Sequence, residues 1–356
     1  NDVVLERWYI FYMHPKDISE AKQDYEYLSD YVESSDLVEI CSVGWVPNDP
    51  MFDNTYHKAF FDSKIPNAWD IQQGNSNLLI GIIDNGLDWN HPDISIDNIW
   101  QNLGEDYDND GLTIYIDVNG TKQFDVGDLN GIDDDGNGRI DDLVGFDFYD
   151  YDYNIYTNSY YDRHGLNIFG LIAASENNSL GAAGSSFNSK VIHCKAGYNG
   201  RIQGDWVGAI EYLADQNADI ISMSFFSTGY MQSAQDAINY AHNQGTIVIA
   251  CGGYSEIPPS NPCPINAYTY PASYENVIGM GILESDANNM RLNSYVSSKI
   301  DLLGSRTATF PDKDTAGQYI YTWSMHTSGS TAMTAGILSL LKAHYPTWTN
   351  DQIINQ

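Results

Sequence analysis

Three residues of this chain have the types and local settings that acyl-transfer chemistry requires. Asp84 follows the apolar run LLIGII (78–83), His164 begins HGLNIFGLIAA, and Ser328 begins SGSTAMTAGILSLLKAHY. A serine hydroxyl is a weak nucleophile until a base removes its proton; histidine is the usual base, and a buried carboxylate fixes the histidine's tautomer. Each residue alone has an ordinary structural explanation, as a turn former, a core histidine or a helix cap. Together they indicate a nucleophile, a general base and an orienting acid.

Short apolar runs alternate with helical segments from about residue 66, and these elements must position the three residues. The runs of strand length are LLIGII, KVIHC (190–194), DIISMS (219–224), TIVIAC (246–251) and VIGMGI (277–282), and the segments WVGAIEYLADQ (206–216) and QSAQDAINYAHNQ (232–244) have helical periodicity. Apolar strands separated by helices predict a parallel sheet covered on both faces, with functional groups beyond the carboxyl ends of the strands. Unpaired backbone N–H groups at the start of the Ser328 helix would favour a negative oxygen.

Composition narrows the classes of partner. The chain has 356 residues, with 48 Asp and Glu against 16 Lys and Arg, a net charge of −32. Nucleic acids and anionic membrane surfaces need the opposite sign of charge, so we expect neither as a partner. No apolar run reaches 18 residues, which predicts no spanning helix, and the segment NDVVLERWYI at the start has no signal-peptide pattern.

Cysteine spacing gives no support to the common cysteine motifs. Cys41, Cys194, Cys251 and Cys263 form no CxxC pair, which argues against zinc and thioredoxin-like sites. Cys251 and Cys263 are close enough in sequence to form a disulfide, and free buried thiols fit the sequence as well.

An acidic insertion at 99–162 contains two stretches with the pattern of a calcium-binding loop. Oxygen side chains at the first, third and fifth positions are followed by glycine, which permits a tight turn around a cation. They are Asp106, Asp108 and Asp110 in the first stretch, and Asp133, Asp135 and Asn137 in the second. The alternative is a solvated acidic loop. Neither stretch has a glutamate at position twelve, so we do not expect a helix–loop–helix site.

The first 45 residues form a separate small α+β unit in this interpretation. WYIFY (8–12) and LVEIC (37–41) have strand character, and Asp17-Ile-Ser-Glu20 resembles a capping box that begins a helix. The turn-rich segment VPNDPMFDN (46–54) follows. We therefore divide the chain into residues 1–45 and 46–356.

The combination of segments resembles the subtilisin-like serine protease family, or subtilases. GIIDNGLDWNHPDI (81–94), RHGLNIFGLIAASENNSLGAAG (163–184) and SMHTSGSTAMTAGILSLLKAHYPTWTNDQI (324–353) are similar to the family's segments around its catalytic Asp, His and Ser. The order Asp, His, Ser also matches. ADIISMS (218–224) and YPASYENVIGMGI (270–282) agree with further family segments, so the resemblance covers roughly residues 50–356.

The resemblance implies an α/β fold with a parallel sheet of about seven strands and helices on both faces, and it implies a serine endopeptidase. Ser328 would form an acyl-enzyme with a peptide or protein substrate, His164 would act as general base and then acid, and Asp84 would orient His164. An extended peptide would add as a strand beside Ser224, Phe225 and Phe226.

Further expectations also rest on the resemblance alone. A structural calcium site would use Asp93 and Asn178. Residues 1–45 resemble the tail of an inhibitory prodomain and would act on the chain's own cleft, with an ordinary N-terminal extension as the alternative. The family resemblance favours a secreted, cell-surface or periplasmic protein.

Several positions depart from the family pattern. Gly253 stands where the family has its oxyanion-hole Asn, His326 and Phe226 each replace a Gly, and Ala332 replaces a common Pro. Leu166 and Asn167 stand in place of Thr and His. The backbone N–H of Ser328 would still donate to the oxyanion, and His326 is a candidate second donor. Phe226 predicts a narrowed S1 pocket. The alternative is therefore that the protein is a weak or inactive homologue, which binds peptides or protein partners.

Overall fold

A computed structural model describes residues 45–253, 268–286, 289–292, 297–323 and 326–354. In chain order the strands are β1 (Leu79–Asp84), β2 (Ile114–Ile116), β3 (Lys122–Phe124), β4 (Gly145–Asp147), β5 (Lys190–Lys195), β6 (Gly197–Tyr198), β7 (Arg201–Ile202), β8 (Ile220–Met223), β9 (Ile247–Cys251), β10 (Val277–Asp286), β11 (Asn289–Leu292), β12 (Leu302–Ser305), β13 (Phe310–Lys313) and β14 (Tyr319–Thr322). The helices are α1 (Lys58–Asp62), α2 (Ile65–Trp69), α3 (His164–Ala173), α4 (Trp206–Asp215), α5 (Gln232–Asn243), α6 (Thr327–His344) and α7 (Asn350–Ile354).

Seven parallel strands form the central sheet, in the spatial order β4-β5-β1-β8-β9-β10-β12, and β11 pairs antiparallel with β10. The predicted parallel sheet is confirmed. The chain reverses its direction of winding at β1, because β5 lies on one side of β1 and β8 on the other. Ligand sites of open parallel sheets occur at such a switch point. Asp84 is the last residue of β1.

Two apolar cores lie on the two faces of the sheet, as its uninterrupted apolar strands require. Ile80 and Ile82 of β1 pack in one core with residues of α3 and α6, and Leu79 and Ile83 pack in the other with residues of α4 and α5. Side chains alternate between faces along a strand, so Asp84 belongs to the same face as Ile80 and Ile82. That face carries both helices that hold the other two predicted catalytic residues.

The acidic insertion contributes a strand that the sequence analysis does not predict. Its β2 and β3 form a hairpin, but β4 pairs in parallel with β5, with Phe146 opposite Cys194 and Asp147 opposite Lys195. Strand β4 was not predicted because three residues are too few for a periodicity to show in the sequence. Because β4 pairs with β5, the insertion is continuous with the central sheet.

Hairpin β13–β14 lies between the sheet and the Ser328 helix in the chain. Its register pairs Phe310 with Thr322 and Lys313 with Tyr319. Helix α6 begins at Thr327 with His326 as its N-cap, so Ser328 is its second residue and not, as predicted, its first.

Other predictions fall partly outside the described residues. Residues 1–44 are not described, and the division at 45/46 stays a prediction. Cys251 is a buried free thiol, as is Cys194, while Cys41 and Cys263 are not described. Burial raises the pKa of Cys251 to about 12. Among the described residues, no helix has the length and apolar character to cross a membrane.

Candidate active site

The first two predicted catalytic residues are hydrogen-bonded. His164 Nδ1 lies 2.7 Å from Asp84 Oδ1, which also accepts the backbone N–H of Asn85 at 2.7 Å. The His164 side chain is 39% exposed, whereas that of Asp84 is 2% exposed. The second oxygen, Asp84 Oδ2, is buried and has no hydrogen-bond partner among the described residues. The carboxylate is thus directed at one ring nitrogen, which leaves Nε2 as the proton acceptor.

The electrostatics of His164 follow from this contact. Partial burial disfavours the charged ring, but the charge of Asp84 and its hydrogen bond outweigh that effect. Two nearby charges also act on the pKa of His164: the positive charge of Arg163 lowers it, and the negative charge of Asp312 raises it. The net result is a pKa of His164 above its ordinary value, as expected for an imidazole that must take up a proton.

A close approach of helix α3 to the end of β1 sets this geometry. Gly165 lies so near that a Cβ atom there would be 2.4 Å from the Asn85 carbonyl oxygen. His193 Nε2 donates to the same carbonyl at 2.5 Å from a fully buried position on β5. His193 is not among the predicted site residues. Its only signal is a histidine within an apolar strand.

Ser328 shares the cleft with His164 and makes a reciprocal contact with Ser224. Ser328 Oγ donates to the Ser224 carbonyl at 3.0 Å, and Ser224 Oγ donates to the Ser328 carbonyl at 2.9 Å. The second position of an α-helix has a backbone N–H without an intrahelical acceptor, so the Ser328 N–H is available to an oxyanion. Attack through His164 requires Ser328 Oγ to leave the Ser224 carbonyl.

A cleft of about 620 Å³ joins these groups. Its walls include all three predicted catalytic residues and the three predicted substrate-binding residues, and also Asn85, Tyr161, Arg163, Asn167, Gly200, Arg201, Ile202, Trp206 and Ser227. Of the predicted oxyanion residues, Ser328 lines the cleft, whereas Gly253 and His326 are not among the described lining residues. A donor role for His326, the exposed N-cap of α6, stays a prediction.

The Phe226 ring occupies the space next to Gly253. A Cβ built on Gly253 would lie 2.7 Å from both Cγ and Cδ2 of Phe226, and Gly253 has a φ of +73°. Two departures from the family pattern therefore touch each other. The ring stands where a side chain at position 253 would begin.

Asp312 of strand β13 binds both ends of the first turn of α3. Its Oδ1 lies 3.0 Å from Arg163 Nε and accepts from Asn167 Nδ2 at 3.1 Å. Asn167 Nδ2 also donates to the Pro311 carbonyl at 2.7 Å. Hairpin β13–β14 therefore holds the residues on either side of His164, a role that no local sequence pattern indicates.

The two calcium-like loops have the same hydrogen-bond pattern. The first aspartate, Asp106 or Asp133, accepts the backbone N–H groups four and five residues later. The third and fifth residues of each loop, Asp108 and Asp110 or Asp135 and Asn137, each accept the N–H two residues later. Both loops turn their oxygen side chains inward, as a loop that wraps a cation must.

Further carboxylates complete these loops. Three groups have ligand oxygens within 4.8 Å of one another: Glu105, Asp135 and Asp142; Asp106, Asp108 and Asp128; and Asp108, Asp110 and Asp125. Glu105, Asp125, Asp128 and Asp142 were not predicted as ligands; Asp142 is the last residue of the second stretch (133–142), and the other three lie outside both stretches. Asp133 lies in none of these groups and instead caps backbone N–H groups.

Two observations test whether the loops suit a cation. Asp128 Oδ2 is fully buried and has no hydrogen-bond partner among the described residues. Burial raises the pKa of Asp142 to about 7, despite hydrogen bonds from Tyr212, Asn137 and Asn102. Buried carboxylates without sufficient compensation are costly, and a divalent cation supplies the missing charge. The residues present therefore fit calcium.

The third predicted calcium site consists of Asp93 and Asn178, and these two side chains are in contact. Asn178 Nδ2 donates to Asp93 Oδ1 at 2.7 Å, and Asp49 accepts the backbone N–H of Asn178 at 3.1 Å. Burial, with Asp49 nearby, raises the pKa of Asp93 to about 7. Asp49 was not predicted; it lies far from Asp93 in the chain.

Comparison with known proteins identifies the family. A profile described as Subtilase family matches residues 75–355. The chain belongs to the subtilase family. Among relatives, it is 28% identical over 302 residues to thermitase of Thermoactinomyces vulgaris, which covers 83% of this chain and 85% of thermitase. It is 26% identical over 319 residues to the thermophilic serine proteinase of Bacillus sp. (strain AK1), across 87% of this chain and 63% of that protein.

Other similarities are shorter or structural. Subtilisin-like protease 1 of Plasmodium falciparum is 32% identical over 237 residues, which is 62% of this chain and 31% of that protein. This subtilase chain thus spans less than two thirds of the length of several relatives. A solved protease structure from Pseudoalteromonas arctica PAMC 21717 superposes with a TM-score of 0.60 at 22% identity, covering 87% of this chain and 91% of that one, which confirms the fold.

Proposed function

We propose that the protein is a serine endopeptidase that hydrolyses peptide bonds through an acyl-enzyme on Ser328. The 2.7 Å contact between His164 and Asp84, in a cleft that also holds Ser328, carries the proposal. Membership of the subtilase family, whose relatives here include named serine proteinases, supports the same class of reaction.

The roles follow from the contacts. Asp84 holds Nδ1–H of His164, so Nε2 takes the proton from Ser328 Oγ as that oxygen attacks the scissile carbonyl. The tetrahedral oxyanion accepts the backbone N–H of Ser328, at the positive end of helix α6. His164 then returns the proton to the leaving amine, and water repeats the sequence to release the acyl group. Because Gly253 offers no side-chain donor, we expect slow turnover.

Labelling with a fluorophosphonate probe tests the proposal. Wild type should label at Ser328 and cleave an unstructured protein substrate, and Ser328→Ala should do neither. Ser224→Ala removes a neighbouring hydroxyl and should still label. Absence of both labelling and cleavage in a folded wild type would exclude the peptidase.

A second function is peptide binding without turnover. Two observations favour it: Ser328 Oγ donates to the Ser224 carbonyl, and the Phe226 ring abuts Gly253. In that case peptides would bind along Ser224, Phe225 and Phe226 with equal affinity in wild type and Ser328→Ala, and the probe would not react.

Calcium as a structural ion is part of the proposal. Glu105, Asp135 and Asp142 would hold one ion, and Asp106, Asp108 and Asp128, with Asp110 and Asp125, would hold another. Asp93 and Asn178 are candidates for a third. Bound calcium would supply positive charge that stabilises the insertion, and no catalytic step runs through it.

Two remaining proposals concern the role of residues 1–45 and the cellular location of the protein. Residues 1–45 would inhibit the cleft; removing them should then increase probe labelling of Ser328, and adding them as a separate peptide should decrease it. An unchanged labelling rate would favour a purely structural extension.

We also propose an exported protein, by analogy with the extracellular serine protease Nep of Natrialba magadii, although the matching relatives include an intracellular serine protease of Bacillus subtilis. Localising the tagged full-length protein tests this.

A further inference from the structure

The candidate active-site cleft differs in charge from the rest of the molecule. The chain has three acidic residues for each basic one, 48 against 16. Among the described residues that line the cleft, however, the only carboxylate is Asp84, and the cations are Arg163 and Arg201. Asp84 is buried and bound to His164. A substrate in the cleft therefore meets positive charge in a protein that is otherwise strongly negative.

The two arginines are not equivalent. Arg163 is committed to its surroundings: its Nε lies 3.0 Å from Asp312, its Nη1 donates to the Tyr160 carbonyl at 2.8 Å, and its guanidinium lies 3.9 Å from the centre of the Tyr160 ring. Arg201 is exposed, and in the described parts of the chain its guanidinium has no ion pair, hydrogen bond or ring contact. Its charge is uncompensated.

The backbone of Arg201 is nevertheless held in place. Arg201 pairs with Tyr198 in the tight hairpin of β6 and β7. Its carbonyl accepts from Nδ2 of Asn85, the residue after Asp84, at 3.4 Å. On the cleft wall, Trp206 and Phe225 make an edge-to-face contact at 5.5 Å. The Arg201 side chain thus projects from a fixed base beside an apolar wall.

We propose that Arg201 is a specificity-determining residue, which selects peptides with a glutamate or aspartate at the position that lies beside hairpin β6–β7. This inference rests on the proposed peptide-cleaving or peptide-binding function. A guanidinium is always charged and binds a carboxylate with two parallel hydrogen bonds, so it distinguishes an acidic side chain from its amide. The acidic substrate side chain would supply an anion for Arg201 that the described residues of the cleft wall do not provide.

The expected size of the preference is about tenfold in kcat/KM between otherwise identical Glu and Lys peptides, because the pair is charge-assisted but partly solvated. The net charge of −32 repels every acidic peptide and so works against the preference. Comparing variants at position 201 removes this common effect, since it is nearly the same in each variant.

The experiment uses internally quenched peptides with Glu, Gln or Lys at each of four positions on either side of the cleaved bond. Wild type, Arg201→Gln and Arg201→Glu are compared, with Lys58→Gln as a control. Lys58 is a cation of helix α1 paired with Asp62, and it does not line the cleft. Wild type and Lys58→Gln should prefer Glu over Lys at one position, Arg201→Gln should lose that preference, and Arg201→Glu should invert it.

The same peptides are also titrated against Ser328→Ala, alone and with each Arg201 substitution, so that the test does not depend on catalysis. A Glu preference in dissociation constant that disappears in Arg201→Gln supports the inference even where the protein cleaves nothing. Equal kcat/KM or equal binding of Glu, Gln and Lys peptides at every position would overturn it. A Glu preference that survives Arg201→Gln would overturn it too.

Discussion

The ring of Phe226 lies against Gly253, with 2.7 Å between its Cγ and the point where a Cβ on Gly253 would be. The two positions are separated by a strand and a helix in the chain, yet they are packed as one unit. Where the family pattern has a small residue at 226 and Asn at 253, this chain has the large residue at 226 and the small one at 253. The Phe226 ring fills the space in which a side chain at position 253 would begin. If position 253 has the role that the family resemblance implies, the exchange removes a side-chain donor to the oxyanion.

The first prediction is that Gly253→Asn alone will not improve the enzyme. The new side chain meets the Phe226 ring, and we expect a loss of about 1–3 kcal/mol in the free energy of unfolding. Adding Phe226→Gly should relieve the clash and raise kcat by up to about 10²-fold, with little change in KM, because the donor acts on the transition state. Urea unfolding and steady-state kinetics measure both effects. Phe226→Gly alone is the control, and higher turnover in the stable single variant Gly253→Asn would contradict the prediction.

The second prediction concerns Asp312. Asp312→Asn removes an anion near His164 and leaves the charge of Arg163 uncompensated, so the pKa of His164 should fall. Since the neutral imidazole is the base, the acidic limb of the kcat/KM profile should move to lower pH. NMR titration of the His164 ring measures the pKa without needing activity. Arg163→Gln should shift the pKa upward, and the double variant should lie between the two.

Asp236→Asn is the control for that experiment. Asp236 is on helix α5 and accepts from Gln232, so the substitution makes the same change of net charge away from α3. The Asp236 variant should leave the His164 pKa in place. An unchanged His164 pKa in Asp312→Asn would mean that Asp312 acts only by holding Arg163 and Asn167 to the hairpin. An equal shift of the His164 pKa in both variants would mean that the effect comes from net charge and not from the position of Asp312.

The third prediction concerns calcium. An ion that binds only the folded state stabilises it by about 2.7 kcal/mol when its concentration is 100 times the dissociation constant. Thermal unfolding with and without EDTA should show this as a higher midpoint in calcium. Asp128→Asn and Asp135→Asn should each reduce the gain, whereas Asp97→Asn, an exposed residue outside the carboxylate groups, should not. Equal midpoints with and without calcium would show that the loops are merely solvated.

The fourth prediction concerns the ion pair between strands β4 and β5. Lys195 Nζ lies 2.5 Å from Asp147 Oδ2, and the two side chains are 11% and 1% exposed. Breaking a buried pair by removing one partner leaves an uncompensated charge, so Asp147→Asn should cost about 3 kcal/mol in the free energy of unfolding. Asp150 also contacts Lys195, at 3.3 Å, but its side chain is 57% exposed. Asp150→Asn should therefore cost less than about 1 kcal/mol; equal losses would contradict the assignment.

Sequence alone predicted the elements whose signal is local. The strand at 78–83, the helix that begins at His164 and the family segments around Ser328 led to the parallel sheet and to the positions of three side chains. It could not predict contacts made by folding. The pairing of Phe226 with Gly253 and the binding of Asp312 to Arg163 join segments whose separation along the chain carries no periodicity.

The two acidic loops show the same division. Spacing within six residues predicted Asp106, Asp108 and Asp110 as candidate ligands, because a tight loop around a cation would use near neighbours. Asp128 is brought to the first loop by the turns of the insertion, so no short pattern includes it. The strand β4 was missed because three residues give too little pattern to read.

Strand β4 has a consequence for how the protein behaves among other chains. Without it, the part of β5 from His193 to Lys195 would lie at the edge of the sheet with unpaired N–H and C=O groups. Open edges of that kind pair with strands of other molecules and start aggregation. The insertion covers the second half of this edge with three residues, Gly145, Phe146 and Asp147, of which the last is charged, and the Trp100 backbone N–H donates to the Val191 carbonyl near the start of β5. A molecule proposed to receive peptides as strands at one site is thus protected against strand pairing at the β5 side of its sheet.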